Sequence, residues 1–228
     1  MAQFISYEAA ARLIPDGASV MFGGFMGCGN AHHVIAALAE IGTTDLIAYS
    51  NDAAMLNGPD GDEYYGIAKL VHNHQIRTLY ATHVGLNPEV AAQVNQGSLE
   101  LILIPQGSMA EMIRAGGAGL GGVITPTGVG TIIESSPHVQ SKIEIDGRAY
   151  LVERPLKADF ALISGYHIDR NANIWYKGTT RNFAEVMATA AHCVIAEAEY
   201  VVETGAIPPE DVVTPGILVD YVASGTEG

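Results

Sequence analysis

The stretch Val20-Met21-Phe22-Gly23-Gly24-Phe25-Met26-Gly27-Cys28-Gly29-Asn30 decides how the rest of the chain is read. Val20 to Phe22 is an apolar run of the kind that makes a buried strand, and it runs into four glycines within the seven positions 23–29. Asn30 is a good helix cap, and Val34, Ile35, Leu38 and Ile41 repeat behind it at helical spacing. The order is strand, glycine loop, helix. A loop of this type can bring backbone N–H groups up to an anion, helped by the positive end of the helix dipole. It can equally be a tight turn without a ligand, and the glycines alone do not separate the two.

Outward from this unit the same alternation continues. Ser6 caps a short helix over 6–13, stopped by Pro15-Asp16-Gly17. Downstream the pattern predicts a strand over 45–49, an exposed acidic loop over 57–63 and a helix over 67–72. A strand over 77–81, a helix over 88–94 capped by Asn87, a central strand over 99–104 and a helix over 108–115 follow. Strand and helix in alternation predict an open, mostly parallel α/β sheet with right-handed crossovers and helices on both faces. In such a sheet the strand ends gather 23–29, Ser50-Asn51 and Gln106-Gly107 at one edge, where open α/β sheets take ligands. The second half adds a β-hairpin over 142–152 turning at Asp146-Gly147, strands over 160–163 and 192–196, and a helix over 182–191. No repeat or linker interrupts the chain, so residues 1–228 are expected to form one domain.

The totals narrow the function. A formal charge of −14 argues against a nucleic-acid backbone as partner, though not against a small phosphorylated ligand. No apolar run has the length of a membrane span, and Met1 to Ser6 carry no basic leader, so a cytoplasmic setting without membrane contact is expected. Cys28 and Cys193 offer neither a disulfide framework nor a zinc pattern, and Cys28 reads as a small filler within the loop. There is no Gly-x-Ser-x-Gly elbow. His32-His33 and His72/His74 are wrongly spaced to chelate a metal on one helical face. Glu111 and Arg114 are spaced for an ion pair, Glu134 is expected at a strand end where a carboxylate could work, and Arg181-Asn182-Phe183 suits a helix start or an anionic group.

Taken together the residues resemble the alpha subunit of the two-subunit, family I 3-oxoacid CoA-transferases, with greatest likeness to bacterial acetate/acetoacetate and butyrate–acetoacetate enzymes. The resemblance runs nearly end to end. It is carried by Asp16-Gly17 with Gly23-Gly24-Phe25, Ser50-Asn51-Asp52, Pro105-Gln106-Gly107-Ser108 and 113–119. Thr125 to Thr131, 158–163, Arg181-Asn182-Phe183 and Thr214-Pro215-Gly216 extend it. It implies that Gly23, Gly24, Phe25, Met26, Gly27, Cys28 and Gly29 contact CoA, and that Asn51, Gln106 and Gly107 border the acyl pocket. It implies a ping-pong reaction in which a glutamate attacks the acyl-CoA thioester and becomes a glutamyl-CoA thioester. That glutamate belongs to a Ser-Glu-Asn-Gly motif, which is missing here. The resemblance therefore puts the nucleophile on a beta subunit within a heterotetramer, and CoA or acyl-CoA enters as substrate with no permanently bound cofactor.

Three features depart from the family pattern: Gly29-Asn30-Ala31 lacks the usual proline, the 57–64 loop is longer, and Ala184-Glu185 replaces Asn-Pro. Two other readings stay open at this stage, a self-sufficient sugar-phosphate isomerase-like enzyme and a non-catalytic CoA-binding module.

Overall fold

The computed structural model describes residues 2–59 and 61–225; Asp60 of the acidic stretch lies outside the described residues. The core is a nine-stranded sheet. From one edge to the other it runs Gln3–Ile5, Tyr221–Ala223, Ala191–Val202, Ala158–Asp169, Ser19–Phe22, Leu46–Ser50, Ile76–Ala81 and Glu100–Leu103. Every neighbouring pair along this path is parallel. Ile174–Trp175 adds an antiparallel strand on Ala158–Asp169. The expected open, mostly parallel α/β sheet is borne out.

Side chains alternate between the two faces as a pleated strand requires. Val20 and Phe22 pack toward Tyr7–Arg12, His32–Ile41, Ala68–His72 and Pro88–Gln96, together with Leu46, Ala48, Leu79 and Ala81. Met21, Ala161, Ile163, Val194 and Ala196 point the other way, against the helices Gln106–Gly117 and Ala184–Ala190. Helices therefore cover both faces. Among the described residues, no helix is long and apolar enough to cross a membrane.

Two expectations change. The apolar run over 99–104 is not central: it is the edge strand Glu100–Leu103, and Leu103 is exposed. From there the chain crosses under the sheet, and its helix begins at Gln106, two residues earlier than expected. The acidic stretch is mostly exposed among its described residues, as expected, and it forms the tip of a small hairpin, Met55–Leu56 against Tyr64–Tyr65. The hairpin at Asp146-Gly147 forms as expected, with φ of 53° and 76° at the two turn residues, the signature of a type I′ turn. It pairs with Val123–Thr125 to make a separate three-stranded antiparallel sheet.

The two longest strands are paired in register from Ala158 with Ala191 up to Asp169 with Val202. Their neighbour Ser19–Phe22 matches them only at Phe160, Ala161 and Leu162. Residues 164–169 and 197–202 thus continue past Ser19–Phe22 as a ribbon, edged by Ile174–Trp175 at 167–168 and by Ala223 at Glu197. Tyr166, His167, Trp175 and Tyr200 cover it, with the Lys177 ammonium over the Tyr166 ring.

Where the antiparallel sheet meets the Gln106–Gly117 helix, Glu153 is fully buried and its Oε1 stands 4.0 Å from His138 Nε2. Neither side chain has a hydrogen-bond partner among the described residues. Burial pushes the Glu153 carboxyl up; the Ser108 hydroxyl lies near enough to offset part of this without hydrogen-bond geometry. Burial alone pushes His138 down. A carboxyl that holds its proton when folded but ionises when unfolded makes stability fall as pH rises from its ordinary value of 4.5 through its folded value. Glu153→Gln removes that slope and is more stable than wild type at neutral pH, which urea unfolding at a series of pH values measures; an unchanged slope would refute the assignment.

Candidate active site

Strand Ser19–Phe22 sends its crossover toward Leu46–Ser50, while its neighbour Ala158–Asp169 leads the other way toward Ala191–Val202. Two adjacent parallel strands whose connections diverge leave a crevice at their carboxyl ends, the place where open α/β sheets bind ligands. The structure has a pocket of about 530 Å³ there, lined by Phe25, Asn51, Gln106, Gly178, Thr179, Arg181, Asn182 and Phe183. A groove of similar size elsewhere collects Gln3, His192, Cys193 and Tyr221 from the opposite ends of their strands, away from the crossover loops.

The glycine loop closes one side of the crevice, and its glycines have a packing explanation. Gly23 donates to Leu162 O at 2.8 Å and Gly24 to Asn182 Oδ1 at 3.3 Å, tying the loop across the seam. Phe25 and Cys28 exchange N–H···O bonds of 3.0 and 2.9 Å around a turn in which Met26 and Gly27 have φ of 53° and 82°. A Cβ on Gly27 would lie 2.1 Å from Tyr65 Cδ1, and one on Gly29 would lie 2.6 Å from Thr180 O. The loop is glycine-rich because other parts of the chain press against it. Of the residues expected here, only Phe25 lines the pocket, while Gly23, Gly24 and Gly27 are buried behind it.

The loop amides are largely committed to internal acceptors. Those of residues 23–26, 28 and 30 all bond within the protein, leaving Gly27 and Gly29 without an acceptor among the described residues. The helix N-terminus expected to attract an anion already holds one. Buried Glu197, from strand Ala191–Val202, accepts from His33 N and Val34 N at 3.0 and 2.9 Å and pairs with His33 Nδ1 at 2.9 Å. The Glu197 hydrogen bond pushes the His33 imidazole up. Asn30 is not the cap either: Ala31 occupies that position, and the Asn30 side chain bridges Gly23 O to Ile67 N.

Asn51 and Gln106 are brought together. Gln106 Nε2 donates to Asn51 Oδ1 at 2.9 Å, and the single Thr82 hydroxyl proton lies between the Asn51 backbone carbonyl at 2.8 Å and the same Oδ1 at 3.0 Å. With its oxygen facing these donors, the Asn51 amide keeps its N–H₂ as a donor, and Gln106 keeps its carbonyl as an acceptor. Gly107 lies beside them in the first turn of the helix, next to open space, but does not line the pocket. Asp52, the next residue, is buried and bonds Met26 N and Ala54 N at 2.8 and 2.7 Å. Burial pushes its carboxyl up, and those two amides pull it part of the way back.

The remaining candidates sit elsewhere or are engaged. Arg181 ends a short 3-10 turn, Gly178–Arg181, and pairs with Glu185 at 2.6 Å instead of capping a helix. Cys28 is exposed, not packing filler, with Thr179 Oγ1 at 3.7 Å. Glu134 is on a 3-10 turn of the antiparallel module, not at a strand end. It accepts from Lys142 Nζ at 2.7 Å and Gly130 N at 2.6 Å, which hold its carboxyl below the ordinary range. Glu111 and Arg114 form the expected ion pair at 2.8 Å. No group of three metal-ligating side chains occurs among the described residues. Sequence reasoning missed the roles of Asp52 and Glu197, whose partners lie 26 and 164 positions away.

A family model for coenzyme A transferase matches residues 5–225. The chain is 38% identical to the acetate CoA-transferase subunit alpha of Escherichia coli (strain K12), over 99% of this chain and 98% of that protein. It is 42% identical to the acetoacetyl-CoA:acetate/butyrate CoA transferase alpha subunit of Clostridium acetobutylicum, over 96% of each. Its fold superposes with a TM-score of 0.86 on an acyl-CoA transferase of Escherichia coli O157:H7 in thioester complex with CoA. That match is 22% identical and covers 99% of this chain but 48% of the solved one, so this chain spans about half its length.

The glycine loop yields a direct test. A Cβ on Gly24 would stand 2.3 Å from Asn30 Nδ2, and φ there is 114°. Gly24→Val therefore displaces a buried, hydrogen-bonded asparagine before any ligand arrives. The expected cost is about 1–3 kcal/mol of folding stability, read by urea unfolding; a variant as stable as wild type shows that the loop tolerates the side chain.

Proposed function

The chain belongs to the coenzyme A transferase family, and from that premise we propose that it is the alpha half of a two-subunit enzyme moving CoA between an acyl-CoA and a short-chain carboxylate such as acetoacetate, acetate or butyrate. One observation carries the division of labour: the pocket is lined by amides, one arginine, a threonine, a glycine and two phenylalanines, with no carboxylate among them. The nearby acids are engaged, Asp52 by two amides, Glu197 at a helix end and Glu185 by Arg181. The family resemblance implies a ping-pong transfer through a glutamate nucleophile, and this reading places that glutamate on a companion chain, in the Ser-Glu-Asn-Gly segment that the resemblance implies.

The proposed chemistry uses this chain as a mould. The glutamate of the companion adds to the thioester carbonyl, the oxyanion collapses with loss of CoA thiolate, and an acyl-glutamyl anhydride results. The thiolate then attacks the glutamyl carbonyl of the anhydride, releases the first carboxylate and leaves a glutamyl-CoA thioester. The incoming carboxylate reverses the sequence. The Asn51 N–H₂ is the donor suited to a developing oxyanion, and Gln106 and Thr82 hold it in a fixed orientation at no cost during the reaction. Phe25 and Phe183 give the acyl chain an apolar wall. The amide of half-buried Gly29, in the loop that the family resemblance assigns to CoA, is the donor this reading offers to a polar group of the cosubstrate.

Mixing experiments test the reading. The isolated chain gives no acetoacetate-dependent CoA exchange; a companion carrying Ser-Glu-Asn-Gly restores it, and borohydride traps the label on the companion's glutamate. Exchange by this chain alone, or a trapped label on Glu134, overturns it. In the reconstituted enzyme Gln106→Ala frees Asn51 to rotate and lowers kcat about ten-fold or more, with little change in unfolding midpoint.

A further inference from the structure

We infer that Asp52 is a positioning residue: its carboxylate fixes Phe25 at the pocket wall by holding the backbone of residues 26 and 54, without touching the ligand. The inference rests on reading this pocket as the acyl-CoA site. Met26 and Ala54 are non-glycine residues with φ of 53° and 52°, a conformation that L side chains rarely adopt. In both, the N–H is held by the same carboxylate, Oδ2 at 2.8 Å for Met26 and Oδ1 at 2.7 Å for Ala54. Asp52 is itself 3% exposed and makes no ion pair among the described residues, so both oxygens serve the backbone.

The geometry links that strut to the site. Met26 is the first central residue of the Phe25–Cys28 turn, so clamping its N–H sets the direction in which Phe25 leaves the loop. The Phe25 ring packs against His83 at 5.8 Å and lines the pocket together with Phe183. A glycine at residue 26 would take the left-handed conformation unaided. With methionine there, the turn depends on an acceptor brought from the next strand. Only a carboxylate meets both amides, because an asparagine in the same place would turn an N–H₂ group toward one of them.

The test uses the enzyme reconstituted from the full chain and its companion. Asp52→Asn is expected to raise KM for acyl-CoA about ten-fold, and to raise KM for the free carboxylate as well, since its chain meets the same Phe25 wall. Deuterium uptake over residues 23–29 rises in the variant, with uptake in strand Ala158–Asp169 unchanged. Met26→Gly added to Asp52→Asn recovers part of the lost KM, or recovers folding should the single variant fail to fold. Unchanged uptake over 23–29, an unchanged KM for acyl-CoA, or no recovery in the double variant each overturns the inference. A wild-type complex without CoA exchange sinks the functional reading, and the uptake measurement still decides the role of Asp52.

Discussion

Three residue pairs, Val20 with Phe160, Met21 with Ala161 and Phe22 with Leu162, hold this molecule together across 140 positions of sequence. On one side of that seam the strands follow in chain order, outward to Glu100–Leu103. On the other side lie the last three long-range additions and the first strand. The crevice exists only because these two groups meet, and the loops that line it come from both. The Gly23 N–H to Leu162 O bond carries the seam one residue beyond the strand, and Asn182 takes the next amide. Site and fold therefore share one constraint.

A second regularity is where the negative charge goes. The sequence offers a glycine loop and a helix start, two places that favour anions, and the folded chain sets one of its own carboxylates at each. Glu197 satisfies the orphan amides of His32–Ile41, and Asp52 satisfies the turn that precedes it. Each is buried and hydrogen-bonded, the condition under which an ionised group is tolerated inside a protein. What remains for a ligand is mainly neutral: paired amides, two aromatic rings and an arginine already shared with Glu185.

Much of this was legible in the residues. Apolar periodicity gave the alternation, Asp146-Gly147 gave its hairpin, and Asn87 caps its helix by accepting from Glu89 N as read. Asn51 and Gln106 were expected on one edge and are hydrogen-bonded there. The failures share a cause. Asn30 has the chemistry of a cap, but Gly23 and Ile67 compete for its side chain and win. The glycines also make room for Tyr65 and Thr180, partners so far away in sequence that the loop's composition does not announce them. The 99–104 run is apolar enough for a central strand, yet the chain's later return to the far side of Ser19–Phe22 leaves it at the margin. Local pattern reports what a segment can do; distant partners select among the options.

The ribbon formed by residues 164–169 and 197–202 has a geometric consequence. It runs about 20 Å past the seam at strand spacing, while Leu46–Ser50, Ile76–Ala81 and Glu100–Leu103 stop near the level of Phe22. The carboxyl-terminal edge of the sheet is thus stepped, high along two strands and low along three. A body seated on this edge meets the step, so its two orientations along the edge are not equivalent.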